Sequence, residues 1–467
     1  MENFNRIFIA KKPIVNRFFL ITAQFGLLFF IHPVFSSAEG SGFYTAEQQI
    51  QLAPSTSDDA PQSERHTHAT AASEGITLEQ VIINVLENNP QLGINDYEAR
   101  AIAARIRQAQ QGTPIKMNLN VQNFAGSGTY GRADRAETTL SLVKVMELGD
   151  KASFRGDLAR QQANLLQNEQ DSKRLDLLSG VAEQFLHVAV DQYRSRIAKE
   201  KLKLLERTLE TVTQGVKAGR SHVAEQRRVN ITVARAEIEL EHTKHELATS
   251  RLKLATSWGE TSPQFSSVST ELFVLPSVQP FEQLETLLAN NPDLIRFATE
   301  ERVSQARLRL AEAQRTPNLE LSGGIRYLNE SKDGALVLSV SVPFGSGSRA
   351  RPHIEEMKYL AQREPLRHEQ QRLALHNSLY GMYQELIHAK TAFEALSQRI
   401  IPEAERAADD YEQGYKRGRF SLLELNETQR TLLGVRLEAV MTAANYHSFR
   451  IEIERLTGVA LRSGVTP

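Results

Sequence analysis

The chain has no cysteine among its 467 residues. Disulfides are therefore excluded, as is a lipid attached through a thiol. It has no charge bias either, with 55 Lys and Arg against 56 Asp and Glu. Nothing in that balance calls for a nucleic-acid partner. No proline falls between Pro114 and Pro263, which leaves a very long stretch open to uninterrupted helix. Past residue 38 no apolar run is long enough for a transmembrane helix, so any span must be built from β-strands. Also missing are HExxH, a Walker loop, GxSxG and a cysteine nucleophile, so the chain is not expected to be an enzyme or to hold a cofactor.

What is present begins with an export signal. Lys11, Lys12 and Arg17 precede the apolar run FFLITAQFGLLFFI, and small residues Ser36 and Ala38 follow. Charged, apolar and small-residue regions in that order predict a secretory signal peptide over residues 1–38. An uncleaved anchor is the alternative, and the run is short for the roughly 20 residues of a span. Residues 39–74 are polar, Pro/Ser-rich and aperiodic, and read as a flexible leader. The chain as a whole is 41% hydrophobic and 24% charged, a composition that folds.

The folded part reads as two copies of one unit. GVKAGRSHVAEQRR at 215–228 and GYKRGRFSLLELNETQR at 414–430 carry glycines in the same arrangement, Gly219 and Gly418 lying 199 residues apart. TLEQVIINVLENNPQL at 77–92 matches PFEQLETLLANNPDL at 280–294, and IRQAQQGTPIKMNL matches AEAQRTPNLEL. Landmarks at a near-constant offset predict an internal duplication: repeat 1 over 75–260, a linker over 261–280, repeat 2 over 281–460 and a tail over 461–467.

Each repeat reads as helix, two strands, long helix, glycine turn, helix. The strands are predicted at about 117–125, 137–148, 318–328 and 335–343. Leu319, Leu321, Ile325 and Tyr327 alternate with Glu320, Ser322 and Arg326; Met117, Leu119 and Val121 alternate with Asn118, Asn120 and Gln122. Period-2 patterning over some ten residues with Gly-rich connections suits membrane β-strands, and equally a soluble hairpin with one buried face. Leu202, Leu205, Leu209, Val212 and Val216 are spaced 3, 4, 3, 4, the seam of a coiled coil. Ile231, Ala234 and Ile238 are expected to continue it on the return helix, and Pro402 to kink the descending helix of repeat 2.

Four strands cannot close a barrel, and an open edge is not tolerated in lipid, so the chain must oligomerise through its strands. Two copies would give eight strands and a filled interior; three would give twelve and a lumen. The fold class expected is mainly α with a membrane β-barrel: antiparallel coiled-coil helices, four strands per chain, and a trimer with a 12-stranded barrel over an α-helical tunnel.

The duplicated L-x-x-L/A-x-x-N-N-P, the strand pairs and the tip motif at 414–432 resemble the TolC-like outer-membrane factors. LATSWGETSPQF, LPSVQPFEQLETLLANNPDL and GRFSLLEL are similar to the CzcC-like heavy-metal cation efflux branch of that family. The resemblance implies a homotrimeric outer-membrane channel-tunnel reaching into the periplasm, bound to outer-membrane lipid. It also implies two partners, a periplasmic adaptor (membrane fusion protein) and an inner-membrane pump of the resistance–nodulation–division class. Drug or solvent efflux and type I secretion are alternative cargoes, and a periplasmic coiled-coil scaffold without a barrel is the rival class. The resemblance makes the turns adaptor-docking tips, with Gly215, Lys217, Gly219, Arg220, Gly414, Lys416, Arg417, Gly418 and Arg419 forming a charged rim. It places Glu424 and Glu427, with Tyr415, at a gated entrance where relatives carry paired aspartates. One departure lies at the barrel–helix join, where repeat 1 has Lys144, Val145 and Met146 and repeat 2 keeps Pro343. ERHTHATA at 64–71 and EHTKHE at 241–246 are metal-capable, but both read as solvated polar segments, and no metal site is assigned.

Overall fold

The computed structural model describes residues 75–458. The expected signal peptide, the leader and the tail lie outside the described residues. Within them, α1 (Leu78–Asn88) and α2 (Pro90–Gln110) lead to strands β1 (Ile115–Gln122) and β2 (Glu137–Met146). The long α3 (Lys151–Lys217) and its return α4 (Val223–Thr256) follow. The second half keeps that order: α5 (Phe281–Leu287), α6 (Pro292–Ala313), β3 (Leu319–Leu328), β4 (Asp333–Ser341), α7 (Ser346–Ala395), α8 (Ile401–Lys416) and α9 (Leu422–Thr457). Between α7 and α8 one π-helical turn occupies Leu396–Ile400, just ahead of Pro402. The break expected at Pro402 is thus a register slip of the helix rather than a simple bend, since proline removes an N–H the preceding turn would have used. Pro352 and Pro365 lie inside α7 without ending it.

At 1.5 Å per residue α3 alone is about 100 Å long. Its lower half pairs with α4 through Leu205, Val212, Val229, Val233 and Ala236, with Leu202, Leu209 and Val216 packed beside them. The α3 seam is as expected; the α4 seam is not. Ile231 and Ile238 are 59% and 67% exposed and point away from α3. The return helix carries apolar residues on two faces, and periodicity alone does not say which one meets α3.

α3 also packs on α2, α6 and α9, while α7 packs on α6 and α9. The result is a helical layer with α2 and α4 along one flank and α7 and α8 along the other. A belt made of α1, α5 and residues 257–280 covers one face of this layer. Val81, Val85, Trp258 and Val268 pack on Phe185 and Val188 of α3. Leu272 sits between Leu186 of α3 and Val440 of α9, and Leu284 and Leu288 pack on α7. Tyr446, fully buried, donates its hydroxyl to the Pro276 carbonyl and fixes the belt to α9. Gln192 donates to the Val268 carbonyl at 3.1 Å and accepts from its N–H at 2.6 Å.

The repeated Asn-Asn-Pro has a double task. Asn89 caps α2 by accepting from the Gln91 N–H at 2.8 Å, and its amide nitrogen donates to the Ser257 carbonyl at 2.6 Å, just past α4. Asn291 repeats this: it caps α6 through the Asp293 N–H at 2.7 Å and donates to the Leu456 carbonyl of α9 at 2.7 Å. The following proline starts each helix where no N–H is needed.

The four strands form one antiparallel sheet in the order β1-β2-β3-β4. β1 and β4 end earlier than their spacing suggests and start earlier too. Asn123 and Ala125 take positive φ immediately past β1, which removes the chain from the ladder.

Candidate functional site

Two features of this fold face outward without partners: the pair of helical tips and the sheet. Both tips have the same backbone. The Arg220 N–H reaches the Gly215 carbonyl at 2.8 Å and the Gly219 N–H reaches Val216 at 3.0 Å. In the second tip Arg419 reaches Gly414 at 2.9 Å and Gly418 reaches Tyr415 at 2.9 Å. This is the Schellman arrangement, which needs one residue in the left-handed region; Gly219 and Gly418 supply it at φ +70° and +72°. The earlier glycines do different work. A Cβ at Gly414 would stand 2.2 Å from the Phe420 ring, and one at Gly215 2.6 Å from the Ser221 hydroxyl. Lys217, Arg220, Arg417 and Arg419 stand exposed around the turns, and Lys416 pairs with Glu412 at 2.7 Å.

The two tips lie against each other. Leu422 and Tyr415 of the second pack with Val212 and Val229 of the first. Burial pushes the Tyr415 hydroxyl pKa up, partly offset by a hydrogen bond with Ser221, and Glu225 lies close enough to reinforce the rise. Tyr415 therefore joins the expected rim to the first tip.

Glu424 has a structural task as well. Its Oε2 accepts from the Ser421 N–H and hydroxyl, both at 2.8 Å, while Ser421 Oγ accepts from the Glu424 N–H at 3.3 Å. This capping box starts α9 and holds the Glu424 carboxyl below its usual range. The other oxygen is free, and the side chain is exposed. Glu427 is exposed one turn on, 3.9 Å from Arg430. The Ser-x-x-Glu spacing was available in the sequence, and so was the position of Gln429, which is buried on the same helix. In the first tip His222 is the cap, accepting from the Ala224 N–H at 3.1 Å.

At the far end the sheet register aligns its faces. Leu119, Leu140, Ile325 and Leu336 form one row across all four strands, and Met117, Leu142, Gly323 and Leu338 the next. These side chains are exposed, Leu336 and Leu338 by 84% and 85%. Rows on the reverse face are mostly polar: Asn120, Thr139, Arg326 and Ala335, then Asn118, Ser141, Gly324 and Val337. Arg326 pairs with Glu137 at 3.0 Å and donates to Thr139 at 3.0 Å. At Gly324 a Cβ would meet the Leu140 carbonyl at 2.4 Å, so glycine permits β2 and β3 to close here. Phe124, Tyr130 and Tyr327 are exposed at one end of the strands and Phe344 at the other.

The join between sheet and helices differs between halves. Ahead of α7 it is Pro343 and Gly345, with φ +82°. Ahead of α3, Gly149 and Asp150 take positive φ, Lys151 donates to the Thr316 carbonyl at 2.6 Å and to Asn318, and Arg155 pairs with Glu147 at 2.7 Å. An ion pair and a crossing lysine hold the joint where no proline stands.

A long helical hairpin body carrying a sheet with one apolar and one polar face defines a class, and comparison with known proteins gives it a family. The outer membrane efflux protein family matches residues 81–260 and again 284–459, and the chain belongs to that family. It is 26% identical over 327 residues to the cobalt-zinc-cadmium resistance protein CzcC of Cupriavidus metallidurans, covering 70% of this chain and 78% of the relative. It is also 26% identical over 392 residues to the pyoverdine export outer membrane protein OpmQ of Pseudomonas aeruginosa, covering 74% and 79%. Among solved structures it is similar to CusC, with a TM-score of 0.68 at 16% identity over 87% of this chain and 99% of that one. The chain is thus an outer-membrane efflux protein of TolC-like fold, from a family of passive channels. Among the described residues no helix is long and apolar enough to cross a membrane.

Proposed function

We propose that three copies of the chain close into a 12-stranded barrel continued by a helical tunnel, and that this channel passes heavy-metal cations outward. The observation that carries the reading is the sheet. Its apolar face suits lipid, its polar face suits a watery lumen, and its outer strands β1 and β4 have unpaired edges that lipid would not tolerate. Aromatic side chains at both ends of the strands fit interfacial girdles.

The flanks support a closed ring. On α4, Ile231, Ile238 and Leu252 are exposed at multiples of seven residues. On α7, Tyr359, Leu366, Leu373, Tyr380 and Ile387 are exposed at a spacing of seven. Apolar heptad stripes on both flanks, made of different residues and at different heights, suit head-to-tail packing between copies, which closes when the rotation does. The repeated order of elements and the doubled family match support descent of residues 75–260 and 281–460 from one duplicated unit.

The cargo assignment rests on the likeness to CzcC, and the partners proposed are a periplasmic adaptor and an inner-membrane pump that supplies the energy. The exposed tips offer the adaptor two like-shaped turns with a basic rim. Glu424, through its free oxygen, and Glu427 are proposed to line the entrance, and Tyr415 to hold it. The likeness to the pyoverdine export protein OpmQ favours a second reading, export of an organic compound. Fractionation separates channel from scaffold: recovery as a heat-stable trimer in the outer membrane supports the channel, and a soluble periplasmic monomer overturns it. Deleting the gene should sensitise cells to cobalt, zinc or cadmium; sensitivity to organic compounds alone would favour the second reading.

A further inference from the structure

A groove of about 500 Å³ runs between α3 and α4 at the level of the belt. Its lining holds no apolar side chain: Gln184, Asp191, Arg194, Thr249, Ser250 and Lys253 surround His187, His242, His245 and Glu246. Three of the twelve histidines of the chain thus share one cleft. His187 projects from the face of α3 opposite the one that packs the belt, where Phe185, Leu186 and Val188 are buried. With the belt on the outside of the proposed ring, that face would line the tunnel.

The donors are of one chemical kind. One Arg194 nitrogen lies 3.0 Å from a Glu246 oxygen and 3.3 Å from an Asp191 oxygen, so the guanidinium offsets the two carboxylates of the groove. The three imidazoles supply its nitrogen donors. His242 and His245 stand one helical turn apart, and each lies beside an acidic residue on its own helix, His242 at 3.4 Å from Glu246 and His245 at 3.6 Å from Glu241. Imidazole donors suit zinc, cobalt and similar transition-metal cations and discriminate against magnesium and calcium. No preassembled group of three or more metal-binding side chains occurs among the described residues. A cation here would be held by two protein donors at a time and by water.

We propose that this groove is a weak, fast-exchanging station for imidazole-seeking divalent cations on the tunnel wall. Conduction needs sites that admit an ion without retaining it, and an open two-donor chelate has that property. The proposal rests on the heavy-metal reading of the channel and adds to it where on the wall the cargo pauses.

The test uses the full, untagged chain in detergent with His66→Ala and His68→Ala as background, so that leader histidines do not contribute. Cobalt(II) binding is read by equilibrium dialysis and visible absorption. The expected result is saturable binding that magnesium does not displace. His187→Ala with His242→Ala and His245→Ala should weaken it roughly ten-fold or more. Unchanged binding in that triple variant overturns the station. So does binding that magnesium displaces equally, which would point to carboxylates. Metal resistance in cells is scored separately: if deletion of the gene leaves resistance intact, the cargo reading fails, whereas intact resistance function with unchanged cobalt binding in the variant removes the station alone.

Discussion

Leu338 and Ser339 are neighbours on β4, and the membrane reading gives them opposite fates. Leu338 is 85% exposed on the apolar face, in a row with Met117, Leu142 and Gly323 near the middle of the strands. Ser339 lies on the other face, in register with Ser322. An arginine at mid-depth on the lipid face of a barrel costs about 2–4 kcal/mol per chain, and the same residue facing the lumen costs little. Per chain that is a shift of about thirty-fold to several hundred-fold in the assembly equilibrium, and a ring of three would bear it three times. Leu338→Arg should therefore abolish the heat-stable outer-membrane trimer, while Ser339→Arg should leave it near the wild-type amount. The assay is quantitative recovery of heat-stable trimer from outer-membrane fractions, normalised to total chain. If Leu338→Arg assembles as well as Ser339→Arg, the apolar face does not meet lipid and the barrel is wrong.

Other outcomes follow from the same geometry. Leu373→Asp or Ile238→Asp, on the opposite flanks, should each dissociate the trimer without unfolding α3 and α4, read by native mass and far-ultraviolet dichroism; retention of the trimer by both would remove the heptad stripes as the contact. Gly418→Ala places a Cβ at φ +72° and should weaken the tip by about 1 kcal/mol, measured by hydrogen exchange of the Schellman amides. Glu424→Ala should fray the start of α9 through loss of the reciprocal half of the capping box, whereas Glu427→Ala should not; together they should lower cation selectivity in planar bilayers, and unchanged selectivity would rule out an acidic entrance. Burial raises the pKa of Glu183, which accepts from Ser448 at 2.7 Å between α3 and α9. A carboxyl with a raised folded pKa favours the protonated fold, so its contribution to stability falls as pH rises from the ordinary carboxylate range through that folded value. Glu183→Gln should flatten this part of the stability–pH curve, and an unchanged slope would count against the assignment.

Much of the architecture was legible because sequence landmarks recur and because the periods are clean. The glycines 199 residues apart, the seam from Leu202 to Val216 and the alternation in 319–327 each correspond to an element of the fold. The belt was not legible. Trp258, Val268 and Leu272 have no periodicity, and their partners lie on α1, α3 and α9, far off in sequence. The α4 seam was misassigned because Ile231 and Ile238 are as apolar as Val229 and Val233, and only packing separates the face toward α3 from the face left open. At the tip, the turn was legible in Gly219 and Gly418, but Glu424 was weighed only as a charge, although Ser421 three residues earlier marks it as part of a cap.

Asn89 and Asn291 set a limit on substitution that hydrophobic positions lack. Each uses both ends of one short amide, the oxygen starting one helix and the nitrogen holding the carbonyl end of another. Aspartate and serine could start the helix, but aspartate has no donor when ionised and serine has too short a reach for both partners. Glutamine has the groups at the wrong length. Asparagine is then the single letter that the geometry accepts at these two places, so the second Asn of Asn-Asn-Pro is the position at which chance replacement in a lineage would be caught soonest.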